Sequence, residues 1–172
     1  MISDEFQARG AARAGALSGL CAGLFLTLVM TATSLARDTD VWYGIKGASA
    51  PLLGQRAMQP GFDLVPVLLG LGCHLLVSAG WGLLFGLLVD GLGRLATMVA
   101  GAAWSFVVWL AMFYVVLPVV GLSSMRLEVS LARAITFHVI YGFALGVAYV
   151  VVRRVQSDLT EFGGFGRPRR AL

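Results

Sequence analysis

The charged residues of this chain are spaced so that four long stretches contain none. Arg13 to Arg37 encloses 23 uncharged residues, Asp63 to Asp90 26, Arg94 to Arg126 31, and Arg133 to Arg153 19. A helix needs about 20 apolar residues to cross roughly 30 Å of hydrocarbon, so each stretch is near or above the length of a span. None shows the apolar–polar alternation, broken by turns about every ten residues, that a spanning strand requires. Lipid offers the backbone no outside partner, so the helix is the structure that satisfies these runs. The sequence predicts an all-α membrane protein, a four-transmembrane-helix bundle forming one domain over residues 1–172. The spans are expected at about 14–36, 65–89, 95–118 and 130–152, with Pro118 and Gly121 ending the third. Composition agrees. Charged residues are 13% of the chain, about half the usual quarter, which is too few to cover a soluble sphere.

The remaining charges give an orientation. Loops rich in Lys and Arg stay in the cytoplasm. Placing both termini there puts Arg9, Arg13, Arg94, Arg153, Arg154, Arg167, Arg169 and Arg170 inside, against Arg37, Lys46, Arg56, Arg126 and Arg133 outside. The net charge of +4 follows from this asymmetry and does not indicate nucleic acid. The basic tail, within 153–172, is expected to face anionic headgroups. Arg9 and Arg13 before an apolar run ending at Ala36 also resemble a cleavable signal peptide, but the run is long for one. Leu20 before Cys21 is too large for lipoprotein processing. Asp90 to Arg94 is a short link and predicts that spans two and three are antiparallel neighbours. The outer loop, 37–63, holds Trp42 and Tyr43, which suit the interface. Val41, Ile45 and Leu52 suggest a segment lying on the membrane. Asp38 and Asp40 read as a helix cap and a solvated face. Cys21 and Cys73, each inside a span, read as free structural cysteines.

Small residues recur at a spacing of four. Span two carries Gly70, His74, Ser78, Gly82 and Gly86, and span four carries Ala134, His138, Gly142 and Gly146. Span one has Gly15, Gly19 and Gly23, followed by Thr27 and Thr31. Span three has Thr97, Gly101 and Ser105. A spacing of four keeps residues on one helix face, and small residues there let backbones approach closely. The series predict helix packing through Gly15, Gly19, Gly23, Gly70, Ser78, Gly82, Gly86, Gly142 and Gly146. They also suggest two related hairpins about an axis along the membrane normal.

His74 and His138 are the only histidines. Both fall inside spans, roughly 13 and 12 Å from the outer ends at 1.5 Å per residue, and the costs of burial favour the bundle interior. Three readings stand. The first makes the rings polar packing devices bonded to a carbonyl, to each other or to Tyr141. The second makes them axial ligands of a b-type haem, with Arg56, Arg126 or Arg133 at the propionates. The third makes them part of a proton or ion path with Thr136 and Tyr141. A zinc site lacks four ligands. No phosphate-binding glycine loop, zinc-protease motif or paired carboxylates within a span is present, so no catalytic residue is assigned and the expectation is a non-enzyme without cofactor or metal. Arg126, Glu128 and Arg133 read as an interfacial anchor.

Three segments, Val41-Trp42-Tyr43-Gly44-Ile45-Lys46, His74…Ser78…Trp81-Gly82…Phe85-Gly86 and His138-Val139-Ile140-Tyr141-Gly142…Gly146, resemble small four-span bacterial inner-membrane proteins of unknown function. The resemblance implies fold and location and carries no catalytic role. With the small size and the aromatic third span (Trp104, Phe106, Trp109, Phe113, Tyr114), it makes an accessory or assembly component of a membrane complex the leading expectation. Membrane lipids, other membrane subunits or a second copy of the chain are the expected partners. A haem electron carrier and a small channel or transporter are the alternatives.

Overall fold

The computed structural model describes residues 2–123 and 130–164. The expected anchor residues Arg126 and Glu128, and the basic tail residues Arg167, Arg169 and Arg170, lie outside them. The fold is all helical among the described residues. α1 (Ile2–Ala36) leads into a loop with two short helices, α2 (Tyr43–Gly47) and α3 (Ala50–Leu53), and a 3-10 turn, Gly54–Met58. α4 (Leu64–Val89) and α5 (Arg94–Ala111) follow. A π-helical turn, Met112–Val116, then joins α5 to α6 (Leu117–Val119), and α7 (Leu131–Gly164) closes the bundle. Four stretches are long and apolar enough to cross a membrane: Gln7–Ala36, Leu64–Val89, Arg94–Val119 and Leu131–Leu159. The protein is a multi-pass membrane protein. Both ends of the described chain and the α4–α5 link share one end of the bundle, the termini end. The 37–63 segment caps the other, the loop end.

Several serine and threonine hydroxyls inside the spans are satisfied locally. Ser18 donates to the Ala14 carbonyl at 2.7 Å, Thr27 to Gly23 at 3.0 Å, and Thr97 to Gly93 at 3.1 Å. This bonding one turn back lets a polar residue sit in an apolar face without an orphaned group.

Span three ends at Val119, between the two residues expected to close it. The helix passes through Pro118, and the chain then turns at Gly121, whose φ of 77° suits a residue without a side chain. Proline collides with the carbonyl four residues back. The wider π turn just before it, Met112–Val116, accommodates that collision without ending the helix.

The helices pair unequally. α1 packs along α4, α5 along α7, and α1 also along α7, whereas α4 and α5 touch little. The short link therefore does not make spans two and three close neighbours. Trp81 and Phe85 of α4 meet Trp104 of α5, with ring centroids 6.1 and 6.3 Å apart, and these bulky rings hold the two backbones away from each other. α1 has the opposite character. Beside its glycines runs a second small stripe, Ala14, Ser18 and Ala22, fully or almost fully buried. Two adjacent small faces explain why α1 has two close neighbours.

Candidate functional site

The small-residue stripes form two seams. In the α1–α4 seam, a Cβ on Gly19 would lie 2.2 Å from the Ser78 carbonyl oxygen and 3.0 Å from the Gly82 Cα. In the α5–α7 seam, a Cβ on Gly101 would lie 2.5 Å from the Gly142 carbonyl oxygen and 2.9 Å from the Gly146 Cα. The two seams share this pattern, with Gly19 corresponding to Gly101, Ser78 to Gly142 and Gly82 to Gly146. One turn away, Gly23 faces the Ser78 side chain, and Ser105 faces Gly142. The serine has changed sides, but each contact still joins one serine to one glycine. Gly15 and Gly86 continue the first seam. Gly70 does something else: a Cβ there would meet the carbonyl of Ile45 in α2 at 2.0 Å. It seats the loop rather than another span.

The two histidines belong to different seams. The His74 Nε2 lies 3.1 Å from the Gly23 carbonyl oxygen of α1. The His138 Nδ1 lies 2.7 Å from the Ala134 carbonyl oxygen of its own helix. The π turn places Phe113 edge-on to the His138 ring, centroids 5.9 Å apart. Tyr141 does not bond either imidazole. Its hydroxyl donates to the Ser78 carbonyl at 2.9 Å, and two turns further Tyr149 donates to the Gly86 carbonyl at 3.1 Å. The tyrosines thus join α4 to α7 where the backbones are not in close contact. Each imidazole is engaged within its own helix pair, and Tyr141 occupies the space one turn beyond them. Haem ligation therefore draws no support from this arrangement. No group of three or more His, Cys, Asp or Glu that could hold a metal occurs among the described residues. Cys21 and Cys73 are unpaired thiols.

Sequence reasoning missed the clasp at the loop end. Lys46 is not an exposed outer charge but is 1% exposed. Its ammonium donates to the carbonyls of Gln59 and Gly61 and lies 3.5 Å from Asp40 Oδ2. Asp40 also accepts from the Trp42 and Gly61 amides, each at 2.9 Å. It is a loop lock rather than a solvated face. Burial pushes its carboxyl up, but those two amides and the Lys46 charge outweigh burial and hold it below the usual range. Gly61 reaches Asp40 with a φ of 82°, a conformation that favours glycine. Arg56 grips Asp63 through two hydrogen bonds, at 3.0 and 3.2 Å, and Asp63 caps α4 by accepting from Val65. The loop is therefore folded onto α4, and Trp42 packs on Phe62 at 5.0 Å.

Between this clasp, the end of α1 and the start of α7 lies a cleft of about 720 Å³. Arg37, Asp40 and Arg133 give it charge, and Met30, Tyr43 and Phe137 give it an apolar and aromatic wall. A smaller hollow at the termini end holds Arg94 and Arg154 beside the Asp90–Arg153 pair, which is 2.7 Å apart.

A family model described as a family of unknown function, DUF6789, matches residues 11–160. The chain belongs to DUF6789. The matched range of this DUF6789 chain includes both seams, both histidines and the residues of the loop-end cleft. No curated protein and no solved structure matches it.

Proposed function

We propose that the protein is a non-enzymatic accessory or assembly component of a membrane complex in the bacterial cytoplasmic membrane, with both termini in the cytoplasm. The observation that carries this reading is the exposure of the third span, Arg94–Val119. Its most apolar window is only 11% buried, against 44% for the first span. Its exposed face presents Val99, Phe106, Val107, Leu110 and Tyr114. The interior hydroxyls of Ser18, Thr27, Ser105 and Tyr141 are meanwhile spent on backbone carbonyls, which suits a scaffold better than a reaction centre. The eight inner cations against five outer ones support the orientation. The recurrence of the seam contacts supports descent of the two hairpins from one.

A photo-crosslinking residue at Phe106, in native membranes, tests the proposal. Adducts with another membrane protein or with a second copy are expected. Adducts with lipid alone would refute it.

A further inference from the structure

Among the described residues, the positive charge of the loop-end cleft has nothing nearby to cancel it. Arg37 follows the last residue of α1, and Arg133 lies in the first turn of α7. Among the described residues neither guanidinium has an ion pair. The single carboxylate among the described residues of the lining, Asp40, is already neutralised by Lys46 and capped by two amides. The threonines of the wall are spent: Thr33 donates to Val29, and Thr136 donates to Ala132. The Ser130 hydroxyl accepts from the Arg133 amide, which leaves its own hydrogen to donate. The donors that remain include two guanidiniums and the Ser130 hydroxyl, groups that recognise a phosphate oxygen.

Position supplies the rest. The cleft lies where span one ends at Ala36 and the last span begins at Leu131, the level of lipid headgroups. Below the arginines, Met30 and Phe137 line the wall. Their place one to two turns into the spans is where an acyl chain would start. The volume is within the roughly 300–1,000 Å³ of ordinary ligand sites, enough for a headgroup and the first part of one chain.

We propose that this cleft is a specific site for an anionic phospholipid, with its phosphate between Arg37 and Arg133 and one acyl chain along Met30 and Phe137. The test follows thermal unfolding of the full chain in neutral detergent during titration with phosphatidylglycerol, phosphatidylcholine or inorganic phosphate. A saturable upward shift with phosphatidylglycerol is expected, with little from the other two. The Arg37→Gln, Arg133→Gln double variant is expected to weaken it at least tenfold. Thr136→Trp, which keeps both charges and fills the cleft, is expected to do the same and serves should the double variant fail to fold. An equal shift with inorganic phosphate would overturn the proposal, since the acyl chain would then contribute nothing. An equal shift with phosphatidylcholine, or a phosphatidylglycerol shift unchanged in either folded variant, would also overturn it.

Discussion

Gly15 and Gly82 approach so closely that a Cβ on Gly15 would lie 2.3 Å from the Gly82 carbonyl oxygen, and one on Gly82 would lie 2.4 Å from that of Gly15. The contact is reciprocal and purely backbone. In lipid, helices gain nothing from leaving an apolar solvent, so such close approach is what association rests on. Gly101 and Gly142 repeat it in the second seam, at 2.5 and 2.3 Å.

Adding one methyl group therefore forces helices apart at some positions and costs nothing at others. Gly82→Ala and Gly101→Ala are each expected to destabilise by about 2 kcal/mol, the range for overpacking a tight contact. Gly72→Ala and Gly80→Ala, where a Cβ would meet nothing within 4 Å, are expected to be neutral or to stabilise by up to about 1 kcal/mol through helix propensity. Thermal melting in one detergent reads all four. Equal effects at the four sites would contradict the seams.

The histidines are expected to differ. His74 bonds across a seam to Gly23, while His138 bonds within its own helix. Alanine at either site removes the same volume. The excess cost of His74→Ala over His138→Ala then isolates the interhelical bond, about 0.6 kcal/mol by analogy with other membrane bundles. A double variant as stable as the parent would argue against both rings as packing devices.

Lys46 holds the clasp together. Lys46→Met leaves Asp40 without its counter-charge and the Gln59 and Gly61 carbonyls without a donor. A loss of about 3 kcal/mol is expected, as when one partner of a buried pair is removed. Protease cleavage within 37–63 should rise while the glycine seams stay intact. Unchanged cleavage would show that the loop is held by something else.

Acid should open the same clasp. Asp40 is held low in the folded protein, and so is Asp63 through its Arg56 hydrogen bonds. A carboxyl held low contributes stability at all pH values above its unfolded value, about 4. It loses that contribution as pH falls through the lower folded value. Exchange protection of the Gly61 amide, corrected for intrinsic rate, should be flat from about pH 8 to 5 and decline below about 4. A decline that begins near neutral pH would rule out these carboxylates as its cause.

Charge spacing alone determined four helical spans, because in lipid an unbroken apolar run has one way to satisfy its backbone. The spacing of four in Gly15, Gly19, Gly23 and in Ser78, Gly82, Gly86 was legible for the same local reason: one helix face is a matter of sequence interval. The stripe Ala14, Ser18, Ala22 has that interval too, and could have been read with it. Lys46 and Asp40 could not. Their partners Gln59 and Gly61 lie 13 to 21 residues away through a loop without periodicity, so only the folded chain joins them. The same holds for the choice of neighbours. Trp81 and Trp104 hold α4 and α5 apart although only four residues link them, because ring volume, which no spacing rule encodes, decides how near two backbones can come. Which residues share a face was written along the chain; which faces meet, and what the cleft between them presents, was decided by packing.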